Sequence, residues 1–241
     1  MSAKQPIFIG SGNYINTLTG LHPPSIVIND IEIPYCDNVC NLGVTFDSTL
    51  CWNRHSSVVI NKIFANVAQL RRNYSFMPKS IRKIIVNALL FSILDYGSII
   101  FTDFSVTASI KLQRAQNACV RFVCGAAKFD HVTPLYKDLK CLKLEDRRKL
   151  NVALFTWRVF KFSSPLYILY KFTTLSSVNS RSTRSNQNSL VVPHHRTSKY
   201  SLSYLVTATN IWNEYSLFHY THHASTNRLK ISILEKLLAK Y

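Results

Sequence analysis

Carboxylates are the first side chains that could carry chemistry, because an enzyme that transfers nucleotides holds two metal ions about 4 Å apart between paired acids. The chain has 12 acidic residues among 241 and contains no Asp-Asp pair. Its adjacent acids are Glu145-Asp146, which precede Arg147-Arg148 and are typical of charges in the first turn of a helix. The carboxylates therefore predict no catalytic site.

Histidine, cysteine and glycine patterns predict no metal or cofactor site either. The segment HYTHH at 219–223 could place three histidines on one helix face, and Cys36 and Cys40 are four residues apart. Neither group has the further close ligands that a zinc site needs. The Asp130-His131 pair has no identifiable nucleophile beside it. The chain has only six glycines and no phosphate-cradling glycine loop.

Basic residues provide the strongest functional signal. Lys and Arg number 29 against 12 acids, which gives a net charge of +17. No carboxylate occurs between Asp146 and Glu214, a span with many Arg and Lys. Such a field attracts polyanions, of which nucleic acid is the commonest and an anionic membrane surface the lesser candidate. Nothing at the N-terminus resembles a secretory signal, so an intracellular protein with reduced cysteines is expected.

The elements that must position these cations are mostly helical. Residues 5–34 have strand character, with a hairpin about Asn29-Asp30, and Val44 to Phe46 alternate as in a half-buried strand. Apolar residues at helical spacing predict a series of helices, with the one over 79–96 central because it is apolar over a wide arc. The predicted helices span 53–74, 79–96, 108–124, 134–139, 145–162 and 225–239. The fold class expected is therefore mainly α with a small N-terminal antiparallel β region.

Several motifs are more specific than composition. They are NLGVTFDSTLCWNRH at 41–55, LDYGSIIF at 94–101, KLQRAQNACVRFVCGA at 111–126, FDHVTPLYKDLKCLKLEDRRKL at 129–150 and RTSKYSLSYLVTATNIWNEYSL at 196–217. Together they resemble the segment that follows the catalytic palm in reverse transcriptases of non-LTR, LINE-type and jockey-like retrotransposons. In that family the segment comprises a primer-grip hairpin, thumb helices and a post-thumb region.

The resemblance implies a division of the chain into three parts. Residues 1–51 would form a β region like the palm edge and primer grip, and 52–125 a thumb-like three-helix bundle. Residues 126–241 would form a basic helical C-terminal region with a loop at 173–193. The family's catalytic [FY]-x-D-D turn is absent, so its Mg²⁺ would belong to a missing palm and the chain alone is expected to be inactive as a polymerase.

The function implied is that of an RNA-directed DNA polymerase fragment whose residual role is gripping a primer–template duplex. The partner would be a DNA or RNA–DNA duplex bound without sequence specificity, with no small-molecule substrate, no membrane and no cofactor held by this chain. Location would be nuclear or cytoplasmic rather than secreted. The residues predicted to contact phosphates are Arg54, Lys62, Arg71, Arg72, Lys79, Arg82, Lys83, Lys111, Arg114, Arg121, Arg147 and Arg148.

Two alternatives stay open at this point. The first is a transposon remnant without function, which would expose apolar residues such as Val27, Ile31, Ile33 and Val44 where a palm once packed. The second is a membrane-associated basic helical protein, because residues 84–101 are mostly apolar and follow basic residues.

Overall fold

The computed structural model describes residues 6–20, 25–178, 188–221 and 225–241. Helices dominate these residues and two small antiparallel hairpins lie near the N-terminus, which confirms the predicted fold class. In chain order the elements are α1 (Gly12–Gly20), β1 (Ile26–Ile28), β2 (Ile31–Ile33), β3 (Asn38–Asn41), β4 (Val44–Asp47), α2 (Asn53–Arg72), α3 (Lys79–Ile85), a π-helical segment (Val86–Phe91), α4 (Ser92–Asp95), α5 (Val106–Cys124), α6 (Thr133–Leu139), α7 (Leu144–Phe162), α8 (Leu166–Leu169), α9 (Leu175–Val178), α10 (Ser198–Ser201), α11 (Tyr204–Tyr215) and α12 (Thr226–Leu238).

The chain divides into two compact units. One comprises residues up to Lys62 together with Phe104–Leu112, and the other comprises Ile63–Asp103 and Gln113–Tyr241. The three-part division implied by the motifs stays a prediction.

The first hairpin has the turn that its sequence predicts. Ile28 pairs with Ile31, so Asn29 and Asp30 alone form the turn, and both have positive φ, 51° and 61°. A two-residue turn of this kind matches the right-handed twist of strands and favours Asn and Asp. Val27 and Ile31 are exposed on this hairpin, Ile31 by 67%.

A second hairpin explains the Leu-Gly pair of the 41–55 motif. Leu42 and Gly43, with φ of 48° and 76°, connect Asn41 to its partner Val44. Gly43 meets the need for positive φ without strain. The sequence predicts the second strand but not its partner β3, because that strand is short and polar. Val44 is buried, so this residue is not part of the apolar surface expected of a remnant.

The strand character expected over 5–34 is wrong for its first part. Residues 6–10 form no strand, and α1 follows them. Isolated bonds hold this segment instead: the Gly10 N–H donates to the Ser48 carbonyl, and the Cys36 N–H donates to that of Pro6. The apolar run PIFIG is too short to distinguish a strand from such a segment by periodicity.

Trp52 is buried at the corner between β4 and α2. Its ring meets the edge of Phe46 with centroids 5.5 Å apart. The Cys51 N–H donates to Asp47 Oδ1 at 2.7 Å, which fixes the turn that leads into the helix. The motif residues of this corner therefore serve local packing and turn formation.

His55 lies in the same corner and makes the stability of this unit depend on pH. It is buried and accepts a hydrogen bond at Nδ1 from the Thr45 N–H at 3.4 Å. Burial lowers the pKa of His55 below its usual 6.5. The unfolded chain therefore binds a proton that the folded chain resists, and stability falls as pH drops below 6.5 towards the lower folded pKa.

We expect urea unfolding midpoints of the protein to fall between about pH 7.5 and about pH 5.5, and His55→Gln to reduce this dependence. His131→Gln is the matched control, because His131 is exposed and should leave the dependence unchanged. An identical pH slope in the wild type and the His55→Gln variant would contradict this role of His55.

The helical stretch over 79–95 is less buried than its composition predicts. Ile81, Ile84 and Leu89 are exposed, so the expectation of a central helix is wrong. Only one face packs inward, through Val86, Leu90, Phe91 and Leu94. Within the described residues, no helix combines the length and apolar character needed to cross a membrane.

A hydrophobic core lies in the C-terminal part of the chain. Helix α7 contributes Trp157, which is fully buried, and packs against α11 and α12. The ring centroids of Phe160 and Trp212 are 4.2 Å apart. Leu229 of α12 is buried in the same cluster. The helix predicted over 145–162 is confirmed by α7, which contributes to this core.

The predicted loop at 173–193 is partly described. Residues 179–187 lie outside the described residues. On either side of them Thr174 and Leu190 form an antiparallel bridge. Asn213 holds this bridge, since its side chain accepts from the Leu190 N–H and donates to the Leu190 carbonyl, both at 2.9 Å.

Candidate nucleic-acid interface

A polar network joins two of the motif segments, 111–126 and 129–150. Gln113 donates to the Tyr136 hydroxyl and accepts from the Leu144 N–H, both at 2.9 Å. The fully buried Gln116 donates to the Leu142 carbonyl at 2.9 Å. Burial raises the pKa of Tyr136, so this hydroxyl stays protonated. The glutamines of α5 therefore position α6 and the start of α7, and they are structural.

Arg147, one of the residues predicted to contact phosphate, forms a salt bridge with Asp95. The Arg147 Nε and Nη2 atoms donate to the two Asp95 carboxylate oxygens at 2.5 Å each. The guanidinium lies 4.7 Å from the Phe91 ring centroid. Asn151 donates to Asp95 Oδ1 at 3.3 Å and to Ser98 Oγ at 3.0 Å. Asp95 of the LDYG motif thus fixes Arg147 of the later Arg-Arg pair.

Arg82 and Arg148 are also partly withdrawn from solvent. Arg82 is buried, with its guanidinium 4.0 Å from the Tyr74 ring centroid, and it donates to the Phe122 carbonyl at 3.3 Å. Burial lowers the pKa of Arg148 to about 10, which leaves it charged at neutral pH. Lys79 is exposed but pairs with Asp138 at 2.5 Å. Arg82 and Lys79 therefore make contacts within the protein, in addition to the phosphate contacts predicted for them.

The other predicted cations are more accessible, although Lys83 and Arg121 are half-buried. In the first unit the exposed ones are Arg54, Lys62 and Lys111, and in the second unit they are Arg71, Arg72 and Arg114.

Two predicted cations meet at a cleft between the C-terminal halves of α2 and α5. The cavity has a volume of about 270 Å³ and lies wholly within the second unit. Arg71 comes from α2, Arg121 from α5, and Lys128 from the loop after α5. The remaining walls are Phe64, Val67, Ala68 and Ala118. Three cations around an open apolar floor would complement an anion that also carries an apolar or aromatic part.

The loop after α5 is fixed to the cleft by Arg121. Gly125 ends the helix with φ of 71°, a backbone conformation suited to glycine. Arg121 Nη2 then donates to the Asp130 carbonyl at 3.0 Å. The Asp130 carboxylate accepts from the Ala127 N–H at 2.7 Å, which closes the turn over 127–130. Lys128 is consequently held at the cleft by bonds on both sides of it.

The sequence reasoning missed Lys128 and the exposed Phe129 that follows it. A signal existed: Gly125 predicts the end of a helix, and a basic-aromatic pair follows within one turn. The position of Lys128 at the same cleft as Arg71 of α2 could not be predicted from the sequence.

Metal sites were not predicted, and the described residues contain no group of three His, Cys, Asp or Glu side chains able to hold an ion. His222 and His223 of the HYTHH segment lie outside the described residues. All six cysteines, each of them described, are free thiols.

Comparison with known proteins points to the same general class of protein as the motif resemblance does. No family model matches the chain, and no solved structure matches it. A stretch of 139 residues is 27% identical to the probable RNA-directed DNA polymerase from transposon X-element of Drosophila melanogaster. The match covers 56% of this chain but only 15% of that protein. Over more than half its length, the chain is thus similar to a transposon-encoded RNA-directed DNA polymerase.

Proposed function

We propose that this chain binds the sugar–phosphate backbone of a DNA or RNA–DNA duplex, without reading its sequence, as a helical part of an RNA-directed DNA polymerase. The main observation in support is that Arg71, Arg121 and Lys128 line one open cleft. Guanidinium and ammonium groups bind phosphate oxygens by charge-assisted hydrogen bonds, which position a duplex but carry no sequence information. The net charge of +17 supports the same partner.

The chain itself supplies no polymerase chemistry in this proposal. It contains no paired aspartates, so its residues do not fit the two-metal centre that nucleotide transfer requires. Mg²⁺ would be held by a catalytic palm, and this segment would contribute grip on the duplex. A nuclear or cytoplasmic location follows from such a partner.

Salt dependence tests the proposal. Three phosphate contacts at the cleft predict that log affinity falls with log salt concentration with a slope of about −3 on a DNA duplex, and more steeply if other exposed cations contribute. Fluorescence anisotropy of a labelled duplex between about 50 and about 200 mM salt measures this slope. Two duplexes of unrelated sequence should bind within about twofold of each other. A slope near zero, or no binding at low salt, would contradict the proposal.

A remnant without function is the second candidate, and the β1–β2 hairpin favours it. Val27, Ile28 and Ile31 are exposed there, as expected of a surface that packs against a further part of a polymerase. Absence of duplex binding by a soluble, cooperatively folded protein would favour this reading over the first.

A further inference from the structure

Phe129 is exposed by 90%, more than any other large apolar side chain of the described residues. Apolar surface exposed to water is unfavourable relative to burial. It occupies the turn over 127–130 and directly follows Lys128, which lines the cleft. The Lys128 ammonium lies 5.4 Å from the centroid of the Phe129 ring. An aromatic ring is therefore presented to solvent immediately beside a cluster of three cations.

The turn that presents this ring is held in place. The Asp130 N–H donates to the Ala127 carbonyl at 3.3 Å, and Arg121 holds the Asp130 carbonyl from the other side. The Asp130 carboxylate, the acid of this turn, accepts a backbone N–H. Because the backbone around Phe129 is fixed, a ligand that stacks on its ring does not also have to order the turn.

We propose that the cleft and Phe129 together hold an unpaired nucleotide, such as a single-stranded end beside the duplex. Arg71, Arg121 and Lys128 would bind its phosphate, and its base would stack on Phe129. Bases inside a duplex are already stacked on both faces, whereas an unpaired base has a free face for an aromatic ring. Stacking of this kind tolerates any base. The proposal rests on the proposed nucleic-acid binding and adds a preference for strand ends to it.

Three labelled probes of one duplex sequence separate base stacking from charge. The first is blunt, the second carries a single-stranded overhang, and the third carries an abasic overhang with the same phosphates. The wild-type protein should bind the base-bearing overhang more tightly than the abasic one. Phe129→Ala should weaken binding to the base-bearing overhang by roughly tenfold and leave the other two probes within about twofold.

Matched variants control for general effects. Phe129→Trp keeps a ring and should retain the preference. Phe76→Ala removes a phenylalanine that is 83% exposed on another turn and should leave all three affinities unchanged. Thermal melts should show that Phe129→Ala folds like the wild type, because so exposed a ring contributes little packing.

The outcomes separate the two proposals. Failure of the wild-type protein to bind any probe would overturn both of them. Binding of the duplex with equal affinity for base-bearing and abasic overhangs would overturn only the stacking role. Equal weakening of all three probes by Phe129→Ala would also overturn it. Loss of binding to an acidic peptide on the same substitution would instead identify the site as a protein-docking surface.

Discussion

Replacing Asp95 with alanine is expected to destabilise the second unit by about 2 to 3 kcal/mol. The half-buried Arg147 would lose both of its short bonds, and Asn151 would lose one acceptor. Leaving a partly buried charge without its partner destabilises the fold by more than the intact pair stabilises it. Urea denaturation followed by circular dichroism measures the change, and the midpoint should fall without a large change in slope.

A double-mutant cycle isolates the pair. Asp95→Asn keeps the shape and should destabilise less than Asp95→Ala, and Arg147→Met should destabilise alone but add little to Asp95→Ala. The same Arg147→Met variant tests the phosphate contact predicted for this residue. A salt slope unchanged by Arg147→Met would assign Arg147 to structure. Unchanged stability with a slope lowered by about 1 would show that Arg147 contacts a phosphate and that the pair with Asp95 is dispensable.

Short-range patterns predicted several of the elements, although not α1, β3 or α11. The turn at Asn29-Asp30 requires positive φ at two residues, and Asn and Asp tolerate it. The helix over Asn53–Arg72 ends within two residues of its predicted end, because apolar spacing and a nearby proline define it. Such signals depend on neighbours within one or two turns, and the sequence contains them in full.

Burial and pairing depend on distant residues and were therefore not predictable. Asp95 and Arg147 are 52 positions apart, and nothing local indicates that one neutralises the other. The stretch over 79–95 is apolar on more than one face, but its partners cover only one of them. Arg82 is basic and lies near a helix N-terminus, yet it is buried under Tyr74.

The cleft residues show the same contrast: local sequence predicts some features, and distant residues determine others. Arg71 and Arg121 were predicted individually as phosphate contacts. Their convergence with Lys128 results from the C-terminal halves of α2 and α5 lining one cleft and from the turn that Arg121 fixes. Charge composition thus predicted the class of partner, and only the fold places three of the cations at one cavity.

Reversing charge at that cavity should have a large effect on binding. In the Arg71→Glu, Lys128→Glu double variant, two cations at the cleft become anions that repel phosphate, and we expect duplex affinity to fall by about 100-fold at moderate salt. Anisotropy titration measures this loss. Arg228→Glu, Lys230→Glu on α12 is the control, because these exposed residues change the net charge equally without touching the cleft. If both double variants lose affinity equally, overall charge alone attracts the duplex and the cleft has no special part in binding it.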